Sequence, residues 1–370
     1  MSRSANLTIL MTSDTVGGVW TYASALATAL AASGAEVHLV TTGPRARMDQ
    51  RAMLQDDRVH LIETDLALEW QDPEGADRPV AQRVLTQLEE DIEPDVIHLN
   101  SFREAVFDWN APVLVVAHSC VNSWGLACHD TAWLEEPAWR GYTAAVAAGL
   151  SKAQAWISPS CAFYDVICDL YSPRAPGLVI RNGIAPASQT DRKEDFILAA
   201  GRVWDRAKNI AALTAAAKGV HWPISIAGPD NDAARAEVSW LGHLPYDELR
   251  ARMQRAAIFA SPAFYEPFGL SVLEAASAGC ALLLSDIPTF RELWNGAAVF
   301  VDPTDTKGLR RALNALCTHD DERAQLQRAA RTRSQRYSLG RTASAYLQLY
   351  MNLVANAQRP APTHAMEMHA

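Results

Sequence analysis

Short apolar runs recur along the chain, separated by stretches whose apolar positions repeat at helical spacing. Residues 7–11, 37–40, 59–62, 96–99 and 113–116 are brief and largely apolar, the mark of strands covered on both faces. Between them, residues 19–33 read as a helix stopped by Gly34, and residues 79–91 as a second helix. Residues 133–152 read as a helix, and 156–158 and 179–180 as two more strands. The stretch 182–195 is rich in Gly, Pro, Ser, Thr and charge and reads as a linker. The pattern then restarts, with strands at 196–200, 224–227, 238–241, 258–260, 281–284 and 299–301. Strands alternating with helices mean parallel, doubly wound sheets. The prediction is an α/β chain of two Rossmann-like domains, 1–182 and 190–340, facing each other across a cleft. A last helix at 342–356 is expected to pack back on the first domain, and 357–370 reads as a disordered tail.

One stretch carries more chemistry than the rest. A buried strand ending near Ala260 runs into a loop, Pro267 and Gly269 break the pattern, and a helix follows from Leu270. Strand, loop and helix in that order put the helix N-terminus at the carboxyl edge of a sheet, where free N–H groups favour anions. Glu266 stands in the loop and Glu274 about one turn inside the helix. Two acids beside an anion pocket are costly unless they accept hydrogen bonds from hydroxyls, which points to a ligand carrying phosphate and polyol together, a nucleotide sugar. The segment Glu266-Pro-Phe268-Gly269-Leu270-Ser271-Val-Leu-Glu274 resembles the E-x-F-G-x-x-x-x-E signature of glycosyltransferase family 4, whose fold is GT-B. The resemblance implies that Glu266 contacts hydroxyls of the donor sugar and Glu274 the nucleotide ribose. It also implies that backbone amides around Phe268, Gly269, Leu270 and Ser271 approach the donor.

Further positions fit the same resemblance. Arg202 and Lys208, in Gly201-Arg-Val-Trp-Asp-Arg-Ala-Lys-Asn209, lie on a strand–helix loop where both can converge on one diphosphate, Arg as a fork and Lys as a point charge. Arg206 between them reads as solvated. Gly17 and Gly18 follow the first strand and open a helix, so their amides can face an anion or a sugar. The chain holds no G-x-G-x-x-G, and the second strand ends without the acid a dinucleotide ribose needs, which argues against a nicotinamide enzyme. His118 ends an interior strand, where the family has a His near the reaction centre; His98 reads as buried and structural. His243 and Leu244 match the loop that usually meets the nucleobase. Asn182-Gly183 reads as a hinge turn as readily as a ligand contact. Asp230-Asn-Asp232 reads as a turn, so no metal site is expected, and no cofactor beyond the nucleotide sugar as co-substrate. The six tryptophans before residue 150 suggest a sugar-stacking acceptor groove in the first domain.

Composition narrows the partners. The 370 residues are 49% hydrophobic and 20% charged, as in a soluble globular protein, and no apolar run approaches the roughly 18 residues that span a bilayer. The net charge of −9 divides into −12 over residues 1–180 and +3 over the remainder. An acidic first half argues against nucleic acid, and a mildly basic second half suits an anionic donor. Six cysteines without a CxxC pair read as reduced thiols of a cytoplasmic protein. The expected reaction moves a hexosyl group from a UDP- or GDP-linked sugar to a hydroxyl acceptor, a saccharide or small molecule. The family resemblance adds retention of the anomeric configuration. The alternatives are a GT-B sugar-nucleotide epimerase or sugar phosphorylase, or a non-catalytic nucleotide-sugar-binding protein.

Overall fold

The computed structural model of the protein describes residues 6–187, 192–229 and 237–358. The first seven strands are β1 (Thr8–Asp14), β2 (Glu36–Thr42), β3 (Val59–Glu63), β4 (Val96–Leu99), β5 (Val113–Val116), β6 (Ala155–Ser158) and β7 (Gly177–Val179). They form one parallel sheet in the order β3-β2-β1-β4-β5-β6-β7. The next six are β8 (Glu194–Ala200), β9 (Ile224–Ala227), β10 (Ser239–Gly242), β11 (Ala256–Ser261), β12 (Ala281–Ser285) and β13 (Val299–Val301). They form a second parallel sheet, β10-β9-β8-β11-β12-β13. The helices of the first half are α1 (Gly18–Ala32), α2 (Met48–Arg51), α3 (Arg78–Ile92), α4 (Val121–Ala127), α5 (Pro137–Lys152) and α6 (Cys161–Tyr171). Those of the second are α7 (Ile210–Ala217), α8 (Tyr246–Arg255), α9 (Leu270–Ser277), α10 (Pro288–Trp294), α11 (Thr306–Thr318), α12 (Asp320–Ser334) and α13 (Leu339–Ala357).

Each sheet is covered on both faces, which is why its strands read as apolar runs. One face of the first sheet packs Ile9, Met11, Val37 and Leu39 against Trp20 and Leu26 of α1 and against Tyr346 and Tyr350 of α13. The last helix therefore belongs to the core of the first sheet. Its chain crosses over where Ile184 bridges Ser338, with Ile184 N donating to Tyr337 O and Leu339 N to Ile184 O. A Cβ on Gly183 would lie 2.5 Å from the Ser338 backbone, so the crossing itself accounts for the Asn-Gly pair there.

The single helix expected over 133–152 is broken. A short 3-10 turn covers Ala132–Glu135, and α5 begins only at Pro137. Proline drives the residue before it out of helical conformation, and Glu136 sits at φ −66, ψ 147. The tail is shorter than expected at its start, since Ala357 still ends α13. Residues 359–370 of that tail and Asp230-Asn-Asp232 lie outside the described residues.

Candidate active site

In both sheets the strand order reverses beside the first strand, between β1 and β4 and between β8 and β11. Ligands of open α/β sheets bind outside the carboxyl ends of strands at such switch points. The loops leaving β1, β8 and β11 are those that carry Gly17, Arg202 with Lys208, and Glu266.

After β1 the chain turns on Asp14, whose Oδ1 accepts from Val16 N at 2.8 Å. Burial raises the Asp14 carboxyl to about 6 against the pull of that N–H and of Arg202. Gly17 caps α1 at φ 96, a left-handed conformation that costs glycine nothing. A Cβ there would stand 3.0 Å from Arg202 Nη1, and one on Gly18 3.9 Å from Leu270 Cδ1. The glycine turn of the first domain thus faces the cation loop and helix α9 of the second.

The β8 loop is tied from several sides. Asp205 Oδ1 accepts from Ala207 N at 3.0 Å and from the Trp124 indole of the first domain at 2.9 Å, while its Oδ2 pairs with Arg202 at 2.8 Å. Burial pushes Asp205 up, but Trp124 and Arg202 outweigh it and hold the carboxyl below its ordinary range. Asn209, left-handed at φ 52, donates to Pro262 O and Pro303 O and so fixes this loop to the β11 loop. Lys208 Nζ lies 2.6 Å from Glu266 Oε2. The sequence suggested two cations converging on one anion; the structure gives each a carboxylate partner, so a diphosphate here would have to share or displace those pairs. Arg206 is exposed as expected, yet it reaches Asp130 of the first domain at 3.4 Å.

In the β11 loop the Phe268 side chain is buried against Tyr337, which leaves only its backbone for a ligand. Gly269 caps α9 at φ 87, and its missing Cβ faces Glu266 Cγ and the Phe290 ring, each at 3.2 Å. Glycine is required here by backbone conformation and by these protein neighbours. Ser271, in the first turn of α9, is half-buried. Glu274 is 6% exposed, and its Oε1 has no hydrogen-bond partner. Burial raises its carboxyl to about 7, while Tyr246 and Arg250 from α8 pull the other way.

His118 closes β5 with its ring edge-on to Tyr22, 4.5 Å between centroids, and its Nε2 2.7 Å from Asn100 Oδ1. Asn100 donates its amide to Thr12 O at 2.6 Å, which makes Oδ1 an acceptor and places the His118 proton on Nε2. Burial, then His98, lowers His118 to about 3, so its ring is neutral. His98 is also held neutral by burial, with Tyr350 of α13 2.6 Å from its Nδ1. His243 is exposed at the end of β10, 3.8 Å from Asp49 across the cleft, with half-buried Leu244 following.

The structure brings Gly17, Gly18, Arg202, Lys208, Glu266, Leu270 and their partners together at the facing switch points. Sequence reasoning missed Asp205, Asn100 and Tyr246, and read Trp124 only among the tryptophans of an acceptor groove, whereas its indole holds Asp205. Asp205 alone had a local signal, an aspartate two residues before the N–H it caps. The others join the site only through tertiary packing.

Comparison with known proteins agrees with this architecture. The family described as Glycosyltransferase Family 4 matches residues 16–188, and Glycosyl transferases group 1 matches residues 184–333. The protein is thus a GT-B glycosyltransferase in class, with two facing Rossmann-like domains. In family terms, the chain belongs to the family 4 type of glycosyltransferases. Glycogen synthase from Mycobacterium tuberculosis is 36% identical over 137 residues, 35% of this chain and 32% of that protein, so the match spans about a third of the relative. The Komagataeibacter xylinus GDP-mannose:cellobiosyl-diphosphopolyprenol alpha-mannosyltransferase is 30% identical over 226 residues, 54% of this chain and 56% of the relative. The structure of Anabaena Alr3699/HepE in complex with UDP and glucose superposes with a TM-score of 0.74 at 15% identity, covering 94% of this chain and all of that one.

Proposed function

We propose that the protein transfers a hexosyl group from a UDP- or GDP-linked sugar to an acceptor hydroxyl, with retention and without a metal, in saccharide or glycoconjugate synthesis in the cytoplasm. The observation that carries this reading is Glu274 Oε1, a buried carboxylate oxygen without a partner. It stands on the same strand–loop–helix unit as Glu266, which pairs with Lys208 of the β8 loop. Leaving such an oxygen unpaired costs roughly 1–3 kcal/mol, more for a charge, and a vicinal diol of a ribose supplies the missing donor. Arg202, Lys208 and the amides at the start of α9 then neutralise the diphosphate as it leaves, and Glu266 turns from Lys208 to the sugar hydroxyls. The leaving diphosphate takes the acceptor proton, and the acceptor attacks from the same face. A bound UDP and glucose in the Anabaena structure, and GDP-mannose in the name of the mannosyltransferase, support either base. The cytoplasmic reading rests on six free cysteines, with no helix among the described residues long and apolar enough to cross a membrane.

The test is thermal-shift screening with UDP, GDP, ADP and their hexose conjugates, followed by an acceptor panel with NMR of the product anomer. One nucleotide sugar should stabilise the protein, and product should form only with acceptor present. Lys208→Ala should lower kcat about a hundredfold or more, since one such donor is worth roughly 3–4 kcal/mol. Normal turnover by that variant would refute the assignment of this loop.

A further inference from the structure

At the amino ends of the first sheet, opposite the cleft, three side chains meet for which the transfer reaction has no use. Glu36 and His38 are two apart on β2 and point to the same face, and His60 on β3 is paired in register with His38. The two imidazoles stack at 4.8 Å between centroids with planes 30° apart. Glu36 Oε1 lies 3.0 Å from His60 Nε2 and 3.6 Å from His38 Nε2. One ligand atom from each residue lies within 4.8 Å of the other two.

We propose that Glu36, His38 and His60 form a binding site for a divalent transition ion of the zinc type, which clips strand β3 to β2. Around tetrahedral zinc, with bonds of about 2.0–2.1 Å, ligand atoms stand roughly 3.3 Å apart. The two carboxylate–imidazole distances already bracket that value, and a small ring rotation brings the imidazoles together. Two imidazoles and one carboxylate suit zinc, copper or nickel over magnesium or calcium, which prefer all-oxygen sites. All three residues sit on strands, so the backbone positions the ligands before any ion arrives. The exposed side of the cluster leaves room for water as a further ligand. β3 is the edge of its sheet and pairs only with β2, so a bridging ion adds a bond where the sheet is least supported.

The test is a zinc titration of the chelator-stripped full-length chain, by competition with a chromogenic chelator and by melting temperature. It is run in a His364→Ala/His369→Ala background, because the tail carries two further histidines. One zinc per chain with a raised melting temperature is expected. His38→Ala and His60→Ala should each weaken binding at least tenfold, and Glu36→Gln several-fold. His60→Gln keeps the polar surface if the alanine variant folds poorly. Cobalt substitution should give visible d–d bands that vanish in the histidine variants. Equal zinc affinity in parent and histidine variants would overturn the proposal, as would loss of all binding on removing the tail histidines alone.

Discussion

Glu274, proposed to hold the ribose, shows how burial tunes a carboxylate. Taking it out of water raises its carboxyl from 4.5 to about 7, a difference of about 3 kcal/mol between its two protonation states. The folded protein holds this proton more tightly than the unfolded chain. Its contribution to stability is therefore complete below about pH 4.5 and is lost as pH rises through 7. Glu274→Gln removes that loss, so the ligand-free variant should melt higher than the parent at pH 8 and level with it at pH 4. Ligand binding runs the other way. A ribose hydroxyl donates best to the ionised carboxylate, so nucleotide affinity should strengthen about tenfold from pH 6 to pH 8, and Glu274→Gln should flatten that dependence. Calorimetry in buffers of different ionisation enthalpy checks it directly: the parent should release a proton on binding near pH 7, and equal heats in all buffers would count against the assignment. The glutamate was legible from its spacing to Glu266, because both sit on one local unit. Tyr246, the hydroxyl beside it, was not, because it arrives from α8.

The thirteen strands among the described residues were legible as short runs rich in apolar residues, most plainly the interior ones, where a parallel sheet buried on both faces leaves no room for polar alternation. Helix boundaries were less so, as the break at Pro137 shows. The docking of α13 rests on a pair that sequence reading could not join, Tyr350 and His98, 252 residues apart. His98 Nε2 faces Asn100 Oδ1 and so carries the proton, which makes Nδ1 an acceptor that only Tyr350 serves. Tyr350→Phe keeps the ring and leaves that nitrogen buried and unpaired, at a cost of about 1–3 kcal/mol. Thermal denaturation should show the melting temperature falling by several degrees, with far-UV circular dichroism unchanged at low temperature. An unaltered melting temperature would mean that α13 is held by its apolar face alone.

Across the whole molecule, the uneven charge read from the sequence acquires a location. Arg206 of the second domain meets Asp130 of the first, an exposed pair worth well under about 1 kcal/mol, and His243 lies 3.8 Å from Asp49. Firmer contacts join the domains elsewhere. Tyr265 OH lies 3.0 Å from Ser119 Oγ and 2.7 Å from Ser123 Oγ, Ser160 donates to Pro267 O, and Glu292 accepts from the N–H groups of Cys161 and Ala162. Among these contacts the Trp124 indole matters most for chemistry, because its acceptor, Asp205, also holds Arg202. Domain approach and the aim of Arg202, the cation proposed for the diphosphate, are coupled through one carboxylate. Trp124→Phe removes the indole N–H and keeps an aromatic ring, so Asp205 loses one of its three donors and Arg202 is less firmly aimed. Asp205 is buried but keeps Ala207 N and Arg202, so the melting temperature should fall by only a few degrees, the effect of about 1 kcal/mol for one lost hydrogen bond. Steady-state kinetics should show kcat lowered about tenfold with a smaller rise in donor KM, since positioning is felt most in the transition state. Asp205→Asn should cost more, because Arg202 then loses its ion pair as well. If Trp124→Phe matched the parent in kcat and KM, Arg202 would be set by its own domain alone, and the contact would serve only to hold the two halves together.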